Sequence, residues 1–347
     1  MSRVARLAGR LEDPLLVLSG VNIRYLTGFD SSNAALLVEP GRTTLYTDFR
    51  YAEAAKAVAG VQVVVTPRDT LGFLAERLAG RRLAFEAAHT SYASYRRLVA
   101  TGVELLPANG VVEQLRAVKD ANEVAAIRRA AAISDELFQS LTGERFTGRT
   151  ERDLAWWIEQ RLRALGAERV AFDVLVVSGE HAARPHGAPR DVPIPAGTLV
   201  IVDAGAVVDG YRSDCTRTFA TGDLPQELAD AYELCRRAQL DALAAIQPGV
   251  ALRAADAASR EAIETAGLGE QYAHGAGHGV GLEIHEAPFL RAEAPDELTL
   301  QTGHVVTVEP GVYLPDVGGV RVEDLVLVTS TGHERLTTFT KDLLTVA

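Results

Sequence analysis

The 347-residue sequence has few cysteines, no surplus of basic residues and no long apolar run. Cys215 and Cys235 are its only cysteines, which excludes a disulfide framework. Its 46 acidic residues outnumber its 35 basic ones, giving a formal net charge of −11, so we expect no binding to nucleic acid. No stretch of about 18 uncharged apolar residues occurs, which argues against a membrane span. The first residues lack the apolar core of a signal peptide, so we expect a cytoplasmic protein.

The first third of the chain alternates apolar, strand-like runs with helical segments. Residues 49–60 are typical of a helix, and the alternation indicates a small α/β domain. His89 is the only one of the eight histidines in this part, so we expect metal chemistry elsewhere. We place one domain at residues 1–117 and a second at residues 118–347. The predicted strands are LLVL (15–18), AALLV (34–38), TTLYT (43–47) and VQVVV (61–65).

The second domain is predicted to open with two amphipathic helices. Asp120 and Glu123 form a capping-box pattern before the first helix, and the second helix ends at Gly166. The second helix carries Trp156 and Trp157, which we assign to core packing because they lie in an amphipathic stretch.

A strand, FDVLVVSG (172–179), is followed by a turn-rich loop that carries His181 and His186. Loop histidines are usually solvated, and we expect this of His181. Two further helices are predicted at residues 225–246 and 254–266, each closed by glycine.

Three histidines and four glycines occur together in the run HGAGHGVGLEIHE (274–286). Glycine at alternate positions argues against a helix, because each costs about 1 kcal/mol relative to alanine in a helix interior. On a strand, His274 and His278 share one face, and the glycines let other atoms approach closely. Histidines separated by glycines are typical of metal ligands. A catalytic metal centre also needs carboxylate ligands.

The turn signal Asp209-Gly210 predicts a β-hairpin in the segment LVIVDAGAVVDGYRSDCTRTF (199–219). A two-residue turn places Thr216 opposite Asp203, with Asp214 on the same face and within reach of a common ion. Asp203 ends an apolar run, where a buried charge is costly unless it is compensated. The alternative, two ordinary strand-end aspartates, would not favour the inward face.

Two further acids interrupt apolar strands near the end of the chain. The segments HVVTVEPGVY and GVRVEDLVLVT flank the loop LPDVGG and predict a second hairpin that carries Glu309 and Glu323. Like-charged acids buried together repel unless one is protonated or a cation lies between them. Four carboxylates would balance two divalent cations. With His278 added, the set suits manganese, cobalt or zinc better than a thiolate-selecting ion.

Together these motifs resemble the metal-dependent Xaa-Pro peptidases, prolidase and aminopeptidase P. The N-terminal segments GVNIRYLTGFDSSNAALLV and LYTDFRYAEAA resemble the creatinase-type domain of that family, so the resemblance covers nearly the whole chain. It implies an α+β architecture, in which a smaller α/β creatinase-type N-terminal domain precedes a pita-bread catalytic domain. The catalytic motifs that carry the resemblance are DAGAVVDGYRSDCTRTF, HGAGHGVGLEIHE, VEPGVY and GVRVED.

The resemblance implies five ligands for two divalent metal ions. Asp203 would chelate one ion, while Asp214 and Glu323 would bridge the two. His278 and Glu309 would complete the shell of the second ion. Manganese is the expected metal, with cobalt and zinc as alternatives.

The resemblance also implies residues that face the substrate. His186, in the loop ARPHG, matches a substrate-contacting histidine. His285 matches a histidine near the scissile carbonyl, and His274 one that lines the same pocket. Arg321, two residues before Glu323, matches the RxE motif of the peptidases.

We expect a dinuclear-metal peptidase that hydrolyses the Xaa-Pro bond of dipeptides through a metal-bridging hydroxide. Glu309 would act as general base and acid, and His285 would stabilise the oxyanion. A dipeptidase must recognise the free carboxylate of its substrate, and Arg291 and Arg321 are the alternatives for this role. The second interpretation is an Xaa-Pro aminopeptidase, which removes the first residue of longer peptides.

Three other functions fit the sequence less well. Methionine aminopeptidase shares the ligands but would not need the N-terminal domain, and creatinase should lack the ligand set. A non-catalytic peptide-binding module would have lost several ligands. The expected partner is therefore a proline-containing peptide, with neither nucleic acid nor membrane, and the family's N-terminal domain implies a homodimer.

Overall fold

The computed structural model describes residues 2–347 and divides the chain into two units. The first unit ends at Arg116, and the second spans Ala117–Ala347. The sequence places this limit between residues 117 and 118. Each unit has its own sheets, helices and buried apolar clusters.

The first unit alternates short strands with short helices, as its α/β pattern predicts. Its elements are α1 (Arg3–Ala8), β1 (Leu15–Val17), α2 (Gly20–Thr27), β2 (Ala34–Glu39), β3 (Arg42–Asp48), α3 (Ala52–Ala55), β4 (Gln62–Thr66), α4 (Thr70–Arg77), β5 (Arg82–Phe85), α5 (Tyr92–Val99), β6 (Glu104–Pro107) and α6 (Glu113–Ala117).

These strands form one mixed sheet in the order β4-β3-β2-β1-β5-β6. Strands β1 to β3 pair antiparallel, whereas β4, β5 and β6 join the sheet by parallel pairing. The four predicted strands are confirmed. The predicted helix at 49–60 is wrong in length: α3 covers four residues, and its N-cap Tyr51 supplies no side-chain hydrogen bond to a first-turn amide.

The second unit contains longer helices and several antiparallel sheets. Its elements are α7 (Ala121–Leu141), α8 (Glu151–Ala164), β7 (Leu175–Ser178), β8 (Leu199–Asp203), β9 (Val207–Val208), β10 (Tyr211–Arg212), β11 (Thr216–Ala220), α9 (Gln226–Ala245), α10 (Leu252–Thr265), β12 (Gly277–Gly279), β13 (Glu286–Leu290), β14 (Val305–Val308), β15 (Gly311–Leu314), β16 (Gly318–Arg321), β17 (Asp324–Val328) and β18 (His333–Arg335), with 3₁₀ turns at Gly179–Ala183 and Gly269–Gln271.

Helices α7 and α8 begin and pack largely as predicted. The capping box of Asp120 and Glu123 starts α7, and Gly166 follows α8 with a positive φ. The expectation that both tryptophans are buried is wrong for Trp156, which is 60% exposed, whereas Trp157 packs on the core. Successive helical residues are rotated by about 100°, so two neighbours cannot share one narrow apolar face.

The helices pack on two sheets, and the acidic residues lie at the ends of strands in these sheets. Helices α7 and α8 pack on the three-stranded sheet β7-β8-β11 through a cluster that includes Phe138, Leu154 and Val202. Helices α9 and α10 pack on the five-stranded sheet β13-β12-β14-β17-β18 through a cluster that includes Leu252 and Val306. Within residues 2–347, no helix combines the length and apolar character needed to cross a membrane.

Candidate active site

The first hairpin has the register that its turn predicts. Asp209 and Gly210 have φ angles of 50° and 78°, as a two-residue type I′ turn requires. Away from the turn, Thr216 lies opposite Asp203, the last residue of β8. Asp214 lies between β10 and β11. Both aspartates therefore occur at the same end of the three-stranded sheet.

The second hairpin is interrupted at the two predicted acids. Strands β14 and β17 pair at its base, and β15 and β16 pair toward its tip. Glu309 lies in the break between β14 and β15, and Glu323 lies in the break between β16 and β17. At these breaks the two carboxylates leave the ladder and turn into the space beside the first hairpin.

Three carboxylates meet where the hairpins converge. Asp203, Asp214 and Glu323 each offer an oxygen, and these atoms lie within 4.8 Å of one another. Burial raises the pKa of all three carboxyls, and repulsion from neighbouring acids raises it further. Within residues 2–347, neither Oδ1 of Asp203 nor Oε1 of Glu323 has a hydrogen-bond partner, although both are buried. Such oxygens fit a bound cation, which would compensate their lost hydration.

His278, on β12, completes this cluster with Glu309. The Nδ1–H of His278 donates to the carbonyl of Gly279 over 3.1 Å, which leaves Nε2 to face the acids, 3.2 Å from Glu309 and 3.6 Å from Asp214. Burial opposes both charges, but the hydrogen bond between the two side chains outweighs it. The pKa of His278 is therefore raised, and the pKa of Glu309 is lowered to about 2. This arrangement suits an imidazole that binds a cation through Nε2.

The glycines around His278 serve close backbone contacts, as the sequence predicts. Strand β12 pairs with β13 on one side and with β14 on the other. A Cβ on Gly277 would overlap the carbonyl oxygen of Thr307, and one on Gly279 would overlap the carbonyl oxygen of Ala287. The bare backbone is therefore needed to bring His278 between the two neighbouring strands.

Arg321 connects the carboxylates to the cavity above them. Its guanidinium donates to Oδ2 of Asp203 at 2.7 Å and to Oγ1 of Thr216 at 3.0 Å. It also donates to the hydroxyl of Tyr313 and to the carbonyl of Pro185, both at 3.1 Å. The side chain is buried, so Arg321 is committed to these four partners.

His274 is joined to this network through Tyr313. The Nδ1–H of His274 donates to the carbonyl of Gly275 at 2.9 Å, and its Nε2 lies 3.0 Å from the hydroxyl of Tyr313. Burial lowers the pKa of His274 and raises the pKa of Tyr313 to about 12. The Tyr313 hydroxyl therefore donates a hydrogen bond to Nε2 of the neutral imidazole, and both ring nitrogens of His274 are used within the protein.

A cavity of about 520 Å³ opens over these residues. His285 lies in it beside His278, with 4.3 Å between the ring centroids, and partial burial followed by the charge of His278 lowers the pKa of His285. His186 lies exposed at the rim. Arg291 is also exposed, and its guanidinium carbon lies 5.7 Å from the ring centroid of Phe289.

The structure thus brings the predicted site residues to one place. The predicted residues that line the cavity are Asp203, Asp214, His186, His274, His278, His285, Arg291, Glu309 and Arg321. Glu323 lies beneath them, in the cluster with Asp203 and Asp214. A larger groove of about 860 Å³ along α9 contains none of these residues.

Two residues near the site, His181 and Thr307, differ from what the sequence predicts. His181 is buried rather than solvated, because its ring donates to the carboxylate of Glu151. Thr307 was missed: its Oγ1 accepts from the backbone N–H of His278 and donates to Glu309, each at 3.0 Å. Its place two residues before Glu309, in an apolar run predicted as a strand, is the signal that could have identified it.

Two family models match the chain. The model of the creatinase/prolidase N-terminal domain matches residues 4–118. The model of metallopeptidase family M24 matches residues 125–330, which is more than half of the chain. The matched segments follow one another in the order of the two structural units.

Similar proteins match over almost their whole length. An Xaa-Pro dipeptidase of Pyrococcus furiosus is 33% identical, with 96% of this chain and 95% of the relative covered. The structure of an Xaa-Pro dipeptidase from Bacillus anthracis is similar with a TM-score of 0.95 and 35% identity, covering 99% of both chains. That of an X-Pro aminopeptidase from Thermotoga maritima is similar with a TM-score of 0.90 and 32% identity, covering 99% of this chain and 100% of the other.

Proposed function

Because the chain belongs to metallopeptidase family M24 and carries a creatinase/prolidase N-terminal domain, we propose that this metallopeptidase hydrolyses Xaa-Pro dipeptides. The observation that carries the proposal is the convergence of two buried carboxylates, Asp214 and Glu323, and the partly buried Asp203 with His278 and Glu309 at the base of one cavity. Similarity to proteins named Xaa-Pro dipeptidase supports this substrate class.

We propose that the cluster binds two divalent metal ions, with manganese as the expected metal and cobalt or zinc as alternatives. Asp203 would hold one ion, and Asp214 and Glu323 would bridge both. His278 and Glu309 would complete the shell of the second ion. Oxygen-rich ligands with one imidazole suit these metals. Such ions, when bound, acidify water and polarise the carbonyl under attack.

The protein's own side chains would then move the protons. Glu309 would act as a carboxylate that accepts a proton from the attacking water and delivers it to the proline nitrogen. His285 can donate a ring N–H to the developing oxyanion. His186, at the rim, is placed to contact the substrate. The scissile bond is a tertiary amide without an N–H, so recognition must use other groups of the substrate.

The carboxylate of a dipeptide requires a cation in the cavity, and Arg291 fits this role better than Arg321. Arg321 is buried and donates to four partners. Arg291 is exposed at the cavity, beside the Phe289 ring. We propose that Arg291 binds the substrate carboxylate, which favours a dipeptidase over an aminopeptidase.

The proposed activity is tested by supplying manganese and three substrates to the purified protein. We expect release of proline from Ala-Pro and no cleavage of Ala-Pro-Ala or creatine. Cleavage of Ala-Pro-Ala would instead identify an aminopeptidase, the function named for the similar Thermotoga maritima structure. Absence of turnover on all three substrates would contradict the proposal.

The role of Arg291 is tested by comparing Ala-Pro with its C-terminal amide, which has no carboxylate. We expect Arg291→Ala to raise the KM for Ala-Pro by roughly tenfold to a hundredfold, because a hydrogen bond to a charged group contributes about 1.5–3 kcal/mol. The KM for the amide should not change. Arg253→Ala, which removes an exposed arginine paired with Asp296, is the matched control. Equal effects of Arg291→Ala on both substrates would rule out carboxylate recognition.

Three further expectations remain proposals of ours. The domain limit at residues 117 and 118, a homodimer and a cytoplasmic location follow from the sequence and its resemblance. Sedimentation of the purified protein would test the dimer, which predicts a particle of twice the 37.1 kDa chain mass.

A further inference from the structure

The segment between β7 and residue 190 forms one wall of the cavity, and we call residues 178–190 the His186 loop. Pro185, His186 and Gly187 of this loop line the cavity. The loop leaves β7 at Ser178 and begins with a 3₁₀ turn, Gly179–Ala183. Beyond that turn it contains no strand or helix up to Arg190. Two turn hydrogen bonds, from Arg184 N–H to the His181 carbonyl and from Gly187 N–H to the Arg184 carbonyl, shape its backbone locally. Side-chain contacts hold these turns against the rest of the domain.

One buried carboxylate receives donors from both ends of the loop. Glu151, the first residue of α8, has a fully buried side chain. It accepts from the N–H and the O–H of Ser178, both at 2.9 Å. It also accepts from the backbone N–H of Arg190 at 2.9 Å and from the Arg190 guanidinium at 3.1 and 3.2 Å. Glu151 therefore ties the two ends of the loop together.

The remaining side-chain donor to Glu151 in residues 2–347 is His181, which belongs to the 3₁₀ turn at the start of the loop. Its Nδ1–H is 3.0 Å from the Glu151 carboxylate. A Cβ added to Gly187 would lie 2.8 Å from Nε2 of His181, so the ring packs directly against the loop backbone next to His186. On the opposite side, Arg321 donates to the carbonyl of Pro185 at 3.1 Å. The part of the loop that carries His186 thus rests on the His181 ring on one side and is held by Arg321 on the side of the carboxylate cluster.

We propose that Glu151 and His181 are positioning residues that set the place of His186 at the substrate cavity. In the described part of the chain, both lie outside the set of residues that line the cavity. Among residues 2–347, the side-chain hydrogen bonds of Glu151 and His181 join them to each other, to Ser178 and to Arg190, so they would act on the substrate through the rest of the loop. This inference rests on the proposed function, because it assigns the loop to binding of the dipeptide.

The test compares His181→Ala with His181→Asn, whose side-chain amide can still donate to Glu151 from a position near the original Nδ1. We expect His181→Ala to raise the KM for Ala-Pro roughly tenfold with kcat nearly unchanged, since lost binding that is common to ground and transition states appears in KM. The KM of His181→Asn should return toward that of the wild type. Manganese affinity, measured by isothermal titration calorimetry, should be unchanged in both variants.

Arg190→Ala provides a second variant that is tolerated by the fold, because the Arg190 side chain is 44% exposed. It removes two of the bonds to Glu151 and should raise the KM in the same direction. The matched control is Asp191→Asn, next in the chain, with an exposed side chain that lies 3.8 Å from Arg152. This control should keep the kinetic constants of the wild type.

Hydrogen exchange followed by mass spectrometry gives a readout that does not depend on turnover. We expect faster exchange in the peptide that contains residues 182–189 for His181→Ala and Arg190→Ala, but not for Asp191→Asn. Unchanged exchange, or an unchanged KM despite faster exchange, would overturn the inference. A parallel loss of kcat and manganese affinity would also overturn it, since it would indicate general unfolding. A wild-type protein inactive on Ala-Pro would refute the proposed function, while the exchange data would still decide whether Glu151 and His181 hold the loop.

Discussion

Glu309 and Asp214 both lie near Nε2 of His278, and their pKa values shift in opposite directions. Burial raises the pKa of Asp214, and the negative charge of Glu323 adds to this effect. The pKa of Glu309 is lowered to about 2 because His278 donates a hydrogen bond to it. Within one cluster, the hydrogen bond from His278 therefore keeps Glu309 ionised, whereas Asp214 needs a nearby cation to stay charged.

Asp214 provides the residue-scale prediction for metal binding. We expect Asp214→Asn to lower turnover of Ala-Pro and manganese affinity by at least about a hundredfold, because even changes to residues that only support ligands cost 10–100-fold. Turnover and the metal content of the purified variant check this expectation.

Asp209→Asn is the matched control for that substitution. Asp209 lies in the turn of the same hairpin, with a 69% exposed side chain that pairs with Arg129. It should retain full activity and full metal content. Normal turnover or metal content in Asp214→Asn would contradict the proposed ligand set.

At the scale of whole elements, the site depends on two hairpins and on the glycine-rich strand β12. Each hairpin breaks or ends at its acidic residues, so the regular pairing on either side fixes where the carboxylates leave the sheet. Strand β12 then brings His278 to them, because its neighbours can approach a backbone that has no side chains at Gly277 and Gly279. The position of the His278 imidazole thus depends on the pairing of β12 with β13 and β14.

Gly277→Ala tests this dependence. The new methyl group would overlap the carbonyl of Thr307, so β12 and β14 must move apart. We expect a loss of about 1–3 kcal/mol in the free energy of unfolding, together with weaker manganese binding as His278 is displaced. Denaturant unfolding and calorimetric titration measure the two effects.

Gly332→Ala is the control for that substitution. It lies in the same unit, and its added methyl group would meet no atom within 4 Å. Its stability and metal affinity should equal those of the wild type. A Gly277→Ala protein with unchanged stability and affinity would show that the close approach is not required.

At the scale of the whole molecule, His304, a buried histidine outside the cavity lining, links the free energy of unfolding to pH. His304 is 4% exposed, and its Nδ1 accepts the backbone N–H of Gln301 at 3.1 Å. Burial lowers the pKa of His304 to about 4, and the positive charge of Lys119 adds to the effect. Lys119 is itself buried, 3.0 Å from Glu286. Protonation of His304 is therefore unfavourable in the folded state.

The sign of the pH effect follows from this depressed pKa. The unfolded chain binds a proton at His304 near pH 6.5, whereas the folded chain binds it only near pH 4. The contribution to stability is present above pH 6.5 and is lost as the pH falls toward 4. We expect it to lower the free energy of unfolding by about 2 kcal/mol between pH 7 and pH 5, measured by denaturant unfolding.

His304→Gln should remove this contribution, since glutamine can accept the same N–H without titrating. His333→Gln, which changes a histidine that is only partly buried, should keep the wild-type pH dependence. If His304→Gln loses stability between pH 7 and pH 5 as the wild type does, the protonation of His304 is not the cause.

The sequence by itself determined the family, the α+β architecture and the register that places Thr216 opposite Asp203, and these predictions are confirmed. The reason is that these signals are local. A two-residue turn at Asp209-Gly210 sets the register that brings Thr216 opposite Asp203. Alternating glycines likewise mark close backbone approach wherever they lie in a strand.

Only the tertiary structure decided which side chains support the site and which are exposed. His181 is buried because Glu151, thirty residues earlier, supplies its acceptor. The Arg321 guanidinium is not available to a substrate carboxylate because it donates hydrogen bonds to Asp203 and Pro185, which are distant in sequence. Such roles depend on contacts between segments far apart in sequence, and no local pattern of polarity encodes the partner that a side chain will find.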